Sequence, residues 1–396
     1  MKPVNSDRAL RIAIIGHKRI PSNEGGIEKG VEQHAVRMVA LGHSVTAYNR
    51  GNRDILGRRT DGQKLKEYKG VRIVTIPAPN GSAAVPVYSF LATVHAIFSR
   101  YDVISYRASG PCAMIWLARL FRIRCVASLH GLDSQRNKWG GFARRYLRLG
   151  ERCAARQANA CLVLSENMRQ YIRRTYGRDA ICFANGIDAP RILPSDRIEA
   201  MWHLKKDNYI LSLGRLEPEK NIDGLIQAFR RCRTEKYLVI AGGDSNHAYY
   251  QTLTELAAGD DRIIFTGMVS GDVLGELYSN PYLFVLPSLL EGMANTLLEA
   301  MSYGNCCLVS DIPENTEVTG DHAATFRSGD LNDLQEKLQY LLDHPDVTGD
   351  IRKGADTFIL ENHSWDLVVE QMLRIYRGEN VDYQTVLREH RERMKS

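Results

Sequence analysis

Twelve short aliphatic runs, parted by stretches with the period of an α-helix, constrain this chain more than any other feature. "RIAIIG" (11–16), "SVTAYNR" (44–50), "VRIVTIP" (71–77), "DVISYR" (102–107), "CVASLHG" (125–131) and "ACLVLS" (160–165) read as buried strands. Helical stretches fall near 28–41, 86–99, 111–121, 141–158 and 166–176. A stretch rich in Pro, Gly and Asp, "FANGIDAPRILPSD" (183–196), then interrupts the alternation. A second series follows: "YILSLG" (209–214), "YLVIAGG" (237–243), "RIIFTG" (262–267), "LFVLPS" (283–288), "CCLVSD" (306–311) and "AATFRSG" (323–329). Its helices are expected near 221–233, 248–258, 271–278, 295–303, 331–343 and 365–376.

Regular alternation of this kind makes parallel, doubly wound sheets. The expected fold is α/β, with two Rossmann-like domains facing a central cleft into which the carboxyl ends of both sheets open. The first domain is expected over 1–189, the second over 190–377, and a charged tail over 378–396. The polar, Gly-punctuated 51–70 segment reads as an exposed loop. At 44% hydrophobic and 25% charged residues, a chain of 396 can bury a sizeable core in each half.

Several function classes are disfavoured. A net charge of +6 is too mild for a protein that coats nucleic acid, and suits an anionic ligand or membrane surface. No C-x-x-C or zinc spacing occurs among the eight cysteines, which read as reduced thiols of a cytosolic protein. The N-terminal apolar run is too short for a signal peptide, and no run reaches membrane-spanning length. An NAD enzyme is disfavoured because the first strand-to-helix loop lacks G-x-G-x-x-G.

That first loop ends in Gly25-Gly26. Paired glycines before a helix admit close backbone approach to an anion, or simply make a turn with positive φ. In the second half, Gly214, Arg215 and Lys220 occupy one strand-to-helix loop, with Asn221 as the expected cap of the next helix. A forked donor and a point charge beside a helix start suit a diphosphate. The alternative is a solvated loop in which Glu217 or Glu219 pairs with a local cation. Gly242-Gly243, ending a later strand, read as room for a nucleotide base or diphosphate.

"SLLEGMANTLLEAMSYG" (288–304) sets Glu291 and Glu299 eight positions apart. On one continuous helix they would diverge by about 80°. Gly292, Ala294 and Asn295 instead point to a helix starting near 295, with Glu291 in the loop and Glu299 one turn in. Backbone N–H groups at 292–295 could then meet an anion between them.

Together, R-x4-K, E-x7-E and "LLEAMSYGNCCLVSD" resemble the C-terminal domain of retaining GT-B glycosyltransferases of family 4. The N-terminal "GHKRIPSNEGGIEKGVEQHA" and "HGLDSQRNKWGG" (130–141) are similar to rhamnosyltransferase-type enzymes of bacterial surface polysaccharide synthesis. The resemblance covers about residues 11–377. It implies that Arg215 and Lys220 hold the donor diphosphate. Glu291 and the backbone through Gly292, Met293, Ala294, Asn295 and Thr296 would contact the donor sugar, and Glu299 the ribose. Gly25, Gly26, Gly214 and Gly243 complete the implied donor set. His130, with its ring at the end of a strand, would orient the donor sugar, while Asp133 and Arg136 are assigned to the acceptor.

The implied reaction is transfer of a hexosyl unit from a nucleoside diphosphate sugar to a saccharide hydroxyl, with retention. The nucleotide sugar is co-substrate, and no cofactor or metal is expected, since no Asp-x-Asp stands at a strand end. From 136 to 174, ten Lys and Arg face two acids, and Arg144, Arg145, Arg148, Arg152 and Arg156 recur at helical spacing. That segment reads either as a surface for anionic lipid, which a lipid-linked acceptor would explain, or as a solvated helix face. The expected place of work is the cytoplasm, at the inner face of the membrane. Alternatives are a nucleotide-sugar 2-epimerase and a non-catalytic nucleotide-sugar binder.

Overall fold

The computed structural model describes residues 8–22, 25–51, 65–79, 81–131, 140–244 and 246–395. Its contacts divide the chain into two units, Met1–Gly186 with Trp365–Ser396, and Ile187–Ser364.

The first unit carries strands β1 (Arg11–Ile15), β2 (Ser44–Arg50), β3 (Glu67–Tyr68), β4 (Val71–Ile76), β5 (Val103–Arg107), β6 (Arg124–Leu129), β7 (Ala160–Val163) and β8 (Ile181–Cys182). They pair in the order β3-β4-β2-β1-β5-β6-β7-β8. All neighbours are parallel except β3 and β4, a tight antiparallel pair in which β3 lies inside the segment expected to be loop and β4 is the strand expected at 71–77. The remainder of that segment, 52–64, lies outside the described residues. Among the helices that cover the sheet are α1 (Gly26–Ala40), α2 (Ala84–Phe98), α3 (Ser109–Cys112), α4 (Ile115–Leu120), α5 (Gly141–Gln157) and α6 (Glu166–Tyr176). Val31, His34, Ala35 and Met38 make the buried stripe of α1, at the three- and four-residue spacing that one helix face requires.

In the second unit come α7 (Asp196–Trp202), β9 (Tyr209–Leu213), α8 (Ile222–Arg231), β10 (Tyr237–Ala241), α9 (His247–Ala257), β11 (Ile263–Gly267), α10 (Gly271–Ser279) and β12 (Leu283–Leu286). Then follow α11 (Asn295–Ser302), β13 (Cys307–Ser310), α12 (Pro313–Thr319), β14 (Ala324–Phe326), α13 (Leu331–Asp343), α14 (Pro345–Arg352) and α15 (Ala355–Asn362). The wholly parallel sheet has the order β11-β10-β9-β12-β13-β14. Its two faces bury separate cores. Tyr209, Leu211, Phe284 and Leu286 point into one. Ile210, Leu283 and Val285 point into the other. Both faces are covered, so the strands read as continuous apolar runs.

The expected pair of Rossmann-like units is therefore present, but the domain limits need correction. The break lies at Gly186 and Ile187, not at 189. Helix α16 (Trp365–Arg377), expected in the second domain, belongs to the first unit, as does α17 (Tyr383–Lys395), expected as a charged tail. The reason is packing. Trp365 meets His34 of α1 edge to face at 5.3 Å, and Gly186 has no room for a side chain because the backbone of Trp365 occupies that space. Val368, Met372, Ile375 and Tyr376 are buried with it.

Candidate functional site

Parallel sheets bind ligands where the strand order reverses. In the second unit that point lies between β9 and β12, and a pocket opens there. It is lined by Ser212, Leu213, Gly214 and Arg215 from the end of β9, by Leu286, Pro287 and Ser288 from β12, and by Lys220 and Ile222. Arg215 is exposed, and its side chain makes no ion pair or hydrogen bond with a described residue. Lys220 is paired, although with neither Glu217 nor Glu219: its Nζ donates to Glu291 Oε1 at 2.5 Å. Ser288 Oγ donates to the same oxygen at 2.7 Å. The Glu291 side chain is 7% exposed, so Lys220 and Ser288 hold a carboxylate almost out of water.

The expected start of the helix after Glu291 is observed, since α11 opens at Asn295. Gly292 and Ala294 precede it with backbone N–H groups that bond to no described residue. Glu299, one turn in, accepts from buried Tyr278 at 2.8 Å. Tyr278 in turn stacks on Tyr303, with ring centroids 5.3 Å apart. Asn221 does not cap α8 through its side chain. It takes a left-handed conformation, and its amide donates to Pro287 O at 3.3 Å, which ties the Arg215–Lys220 loop to the Pro287–Glu291 loop. Leu289 N to Glu219 O, at 2.9 Å, adds a second tie.

In the first unit the reversal lies between β1 and β5. Gly25 stands before α1 with φ 85°, the turn geometry considered for it, and Gly26 begins the helix. The nearby Glu28 takes the N–H of Lys18 at 2.9 Å, which closes the loop onto α1. His130 follows β6 and meets Phe183 edge to face at 5.5 Å. Burial, with help from the Arg107 charge, lowers its pKa to about 3, so the ring is neutral. Its Nε2 is buried and unpartnered, free to bond a hydroxyl. Asp133 and Arg136 lie outside the described residues.

Two family descriptions divide along the same lines as the units. Residues 24–191 match Glycosyltransferase Family 4, and residues 196–358 match Glycosyl transferases group 1. The chain belongs to the glycosyltransferases. A GDP-mannose-dependent alpha-mannosyltransferase of Corynebacterium glutamicum is 26% identical over 93% of this chain and 89% of that protein. The O-antigen chain mannosyltransferase B of Escherichia coli is 28% identical over 56% of this chain and 61% of its own length. The serotype-specific mannosyltransferase WbdA of the same organism is 34% identical over 34% of this chain, a match that spans only 18% of WbdA. Among solved structures, a sucrose-phosphate synthase from Thermosynechococcus elongatus superposes with a TM-score of 0.78, at 20% identity, over 93% of this chain and 98% of that one. The fold of the glycosyltransferase is thus GT-B.

Ser288 and Tyr278, the partners of the two glutamates, were not foreseen. Ser288 stands three residues before Glu291, a local signal. Tyr278 is 21 residues from Glu299 and gave none. The reading of Gly242 needs correction. A Cβ there would lie 2.0 Å from Gly214 O, so the missing side chain makes room for a neighbouring strand end, whereas a Cβ on Gly243 would meet the Met268 side chain at 3.2 Å. In this glycosyltransferase Gly242→Ala should cost about 3 kcal/mol or more of stability, because backbone cannot yield as a side chain can. Denaturant unfolding checks this, and a variant as stable as the parent would show that the two strand ends are not fixed.

Proposed function

We propose that this glycosyltransferase moves a hexosyl unit, with retention, from a nucleoside diphosphate sugar to a hydroxyl of a saccharide acceptor during assembly of a bacterial surface polysaccharide. The observation that carries the reading is the pocket between β9 and β12, lined by Arg215 and Lys220, where Lys220 holds Glu291 at the start of the segment that carries the N–H groups of Gly292 and Ala294. Two cations and free N–H donors suit a diphosphate, and a held carboxylate suits sugar hydroxyls.

In the reaction the bond from the anomeric carbon to the diphosphate breaks, and a bond to the acceptor oxygen forms on the same face. The acceptor proton passes to the departing diphosphate oxygen. Arg215 and Lys220 stabilise the charge that grows there. Neutral His130 bonds a sugar hydroxyl and fixes the donor's orientation, and Glu299 takes the ribose. The residues on the acceptor side are Asp133 and Arg136. Mannosyltransferases among the relatives make GDP-mannose the first donor to try, and the rhamnosyl-type motifs make a rhamnosyl donor the second. The acceptor is a lipid-linked saccharide, met at the cytoplasmic face of an anionic membrane.

Incubation with each nucleotide sugar, with and without saccharide acceptor, tests the reaction. Transfer with release of nucleoside diphosphate is expected. Epimerised sugar from donor alone would replace this reading by the epimerase, and tight binding without turnover would replace it by a binder. The division between the glutamates has its own test. Glu299→Ala should weaken donor binding roughly tenfold or more with kcat little changed. Loss of kcat at unchanged donor affinity would move Glu299 from the ribose to the reacting centre.

A further inference from the structure

Helix α2, "AVPVYSFLATVHAIF", contains no Asp, Glu, Lys or Arg. Its polarity is the reverse of what water demands. The buried face holds Tyr88, Ser89 and Thr93, each satisfied inside: Gly16 N bonds Tyr88 Oη at 3.1 Å, Ser89 Oγ bonds Val85 O at 2.7 Å, and Thr93 Oγ1 meets Tyr106 Oη at 3.2 Å. Phe90, Leu91 and Phe98 face outward, the last 75% exposed. Helix α4 packs beside α2 and extends the surface with Trp116, Leu120 and, just past its end, Phe121. The Phe98 and Phe121 rings meet edge to face at 6.3 Å, which joins the two stripes into one patch. From Phe90 to Phe98 the stripe runs about 12 Å along the helix. A contiguous apolar patch of this kind marks a surface that something else covers.

The rim names the occupant. Arg100 and Arg122 follow the aromatic pair, both exposed, and neither forms an ion pair with a described residue. Helix α5, packed on α4, exposes Arg145, Arg148 and Arg152. A second copy seated by two-fold symmetry would bring this cationic rim against itself. An anionic bilayer accepts both parts: aromatic and aliphatic side chains enter the headgroup boundary, and arginines meet lipid phosphates.

We propose that the face formed by α2 and α4, rimmed by Arg100 and Arg122, seats this enzyme on an anionic lipid bilayer. The proposal rests on the membrane reading above and changes its location. Basic α5 supplies attraction, and the apolar face supplies insertion.

The experiment is co-sedimentation of the full chain with vesicles, either pure phosphatidylcholine or an equimolar mixture with phosphatidylglycerol. Transfer to a soluble saccharide is measured in parallel. The parent should bind the mixed vesicles, with weak binding to the neutral ones. Phe98→Ser/Leu120→Ser/Phe121→Ser should bind mixed vesicles about 100-fold more weakly. Its unfolding midpoint should shift little and soluble transfer should be unchanged, because all three side chains are more than half exposed. Arg100→Glu/Arg122→Glu should weaken the preference for the anionic lipid, and an unchanged preference would remove the two arginines from the contact. Undiminished binding by the serine variant would overturn the proposal and leave the basic helix as the contact. No binding by the parent would overturn the membrane reading too, and a parent dimer dispersed by the serine substitutions would assign the face to a second copy. Absence of soluble transfer in the parent would count against the catalytic reading alone.

Discussion

Arg215→Ala should lower kcat by a factor of about 100 to 1,000, the range for loss of one donor aimed at developing charge. Its unfolding midpoint should not move, because the side chain is exposed and holds no described partner. Lys220→Ala should lose as much turnover and behave differently on unfolding. Lys220 is the cation of a nearly buried carboxylate, and its removal leaves Glu291 with Ser288 alone. A buried acceptor stripped of its charged partner costs about 1–3 kcal/mol. Adding Glu291→Gln should restore that stability without restoring turnover, since the orphaned charge is gone and the diphosphate still lacks its cation. Steady-state kinetics and denaturant unfolding of the three variants check both halves. Full activity in Arg215→Ala and Lys220→Ala would remove the diphosphate assignment. A single variant that lost stability but not turnover would make Lys220 a structural ion-pair partner only.

The Lys220–Glu291 bond also marks how far the sequence could be read. Both residues were legible as candidates, because each stands just past a strand at the carboxyl edge of the sheet, where side chains reach a ligand. Their pairing was not legible. It depends on β9 and β12 being neighbours, a fact of strand order that no local pattern encodes. Strand positions were recovered because a buried parallel strand needs an unbroken aliphatic run. Helix α16 was recognised as a helix and placed in the wrong unit, because an apolar face opposite the charged stripe of Asp366, Glu370, Arg374 and Arg377 does not say which sheet it covers. Helix α2 was likewise placed as a helix, but a run without charges does not show which face is covered, and Phe90, Leu91 and Phe98 are outside. Arg107 was passed over inside "DVISYR", although it lies fully buried between the strand and α16.

Acidification from pH 7 to 5.5 should remove about 4 kcal/mol of stability from the chain, a large part of what a domain of this kind possesses. The cause is three imidazoles held neutral around that arginine. Burial lowers His17 to about 4, against the opposing hydrogen bond that its Nε2–H donates to Asn49 Oδ1. Burial, then the Arg107 charge, lowers His130 to about 3, and the same two causes hold His34 well below its ordinary value. An unfolded histidine titrates near 6.5. Below that value the unfolded chain gains up to three protons that the folded chain refuses, so stability falls as pH falls, and it is complete above about 7. At 5.5 the carboxylates are still ionised in both states, which isolates the imidazoles. Guanidinium unfolding across this interval measures the slope, and His17→Asn should reduce it by about a third. A flat profile would mean that the three rings reach water in the folded protein. The same geometry makes a further demand on the pH dependence of transfer. A ring that stays neutral down to about 3 contributes no acidic limb of its own to the rate between pH 7 and 5.5, so His130→Asn should leave the shape of the kcat profile over that interval unchanged.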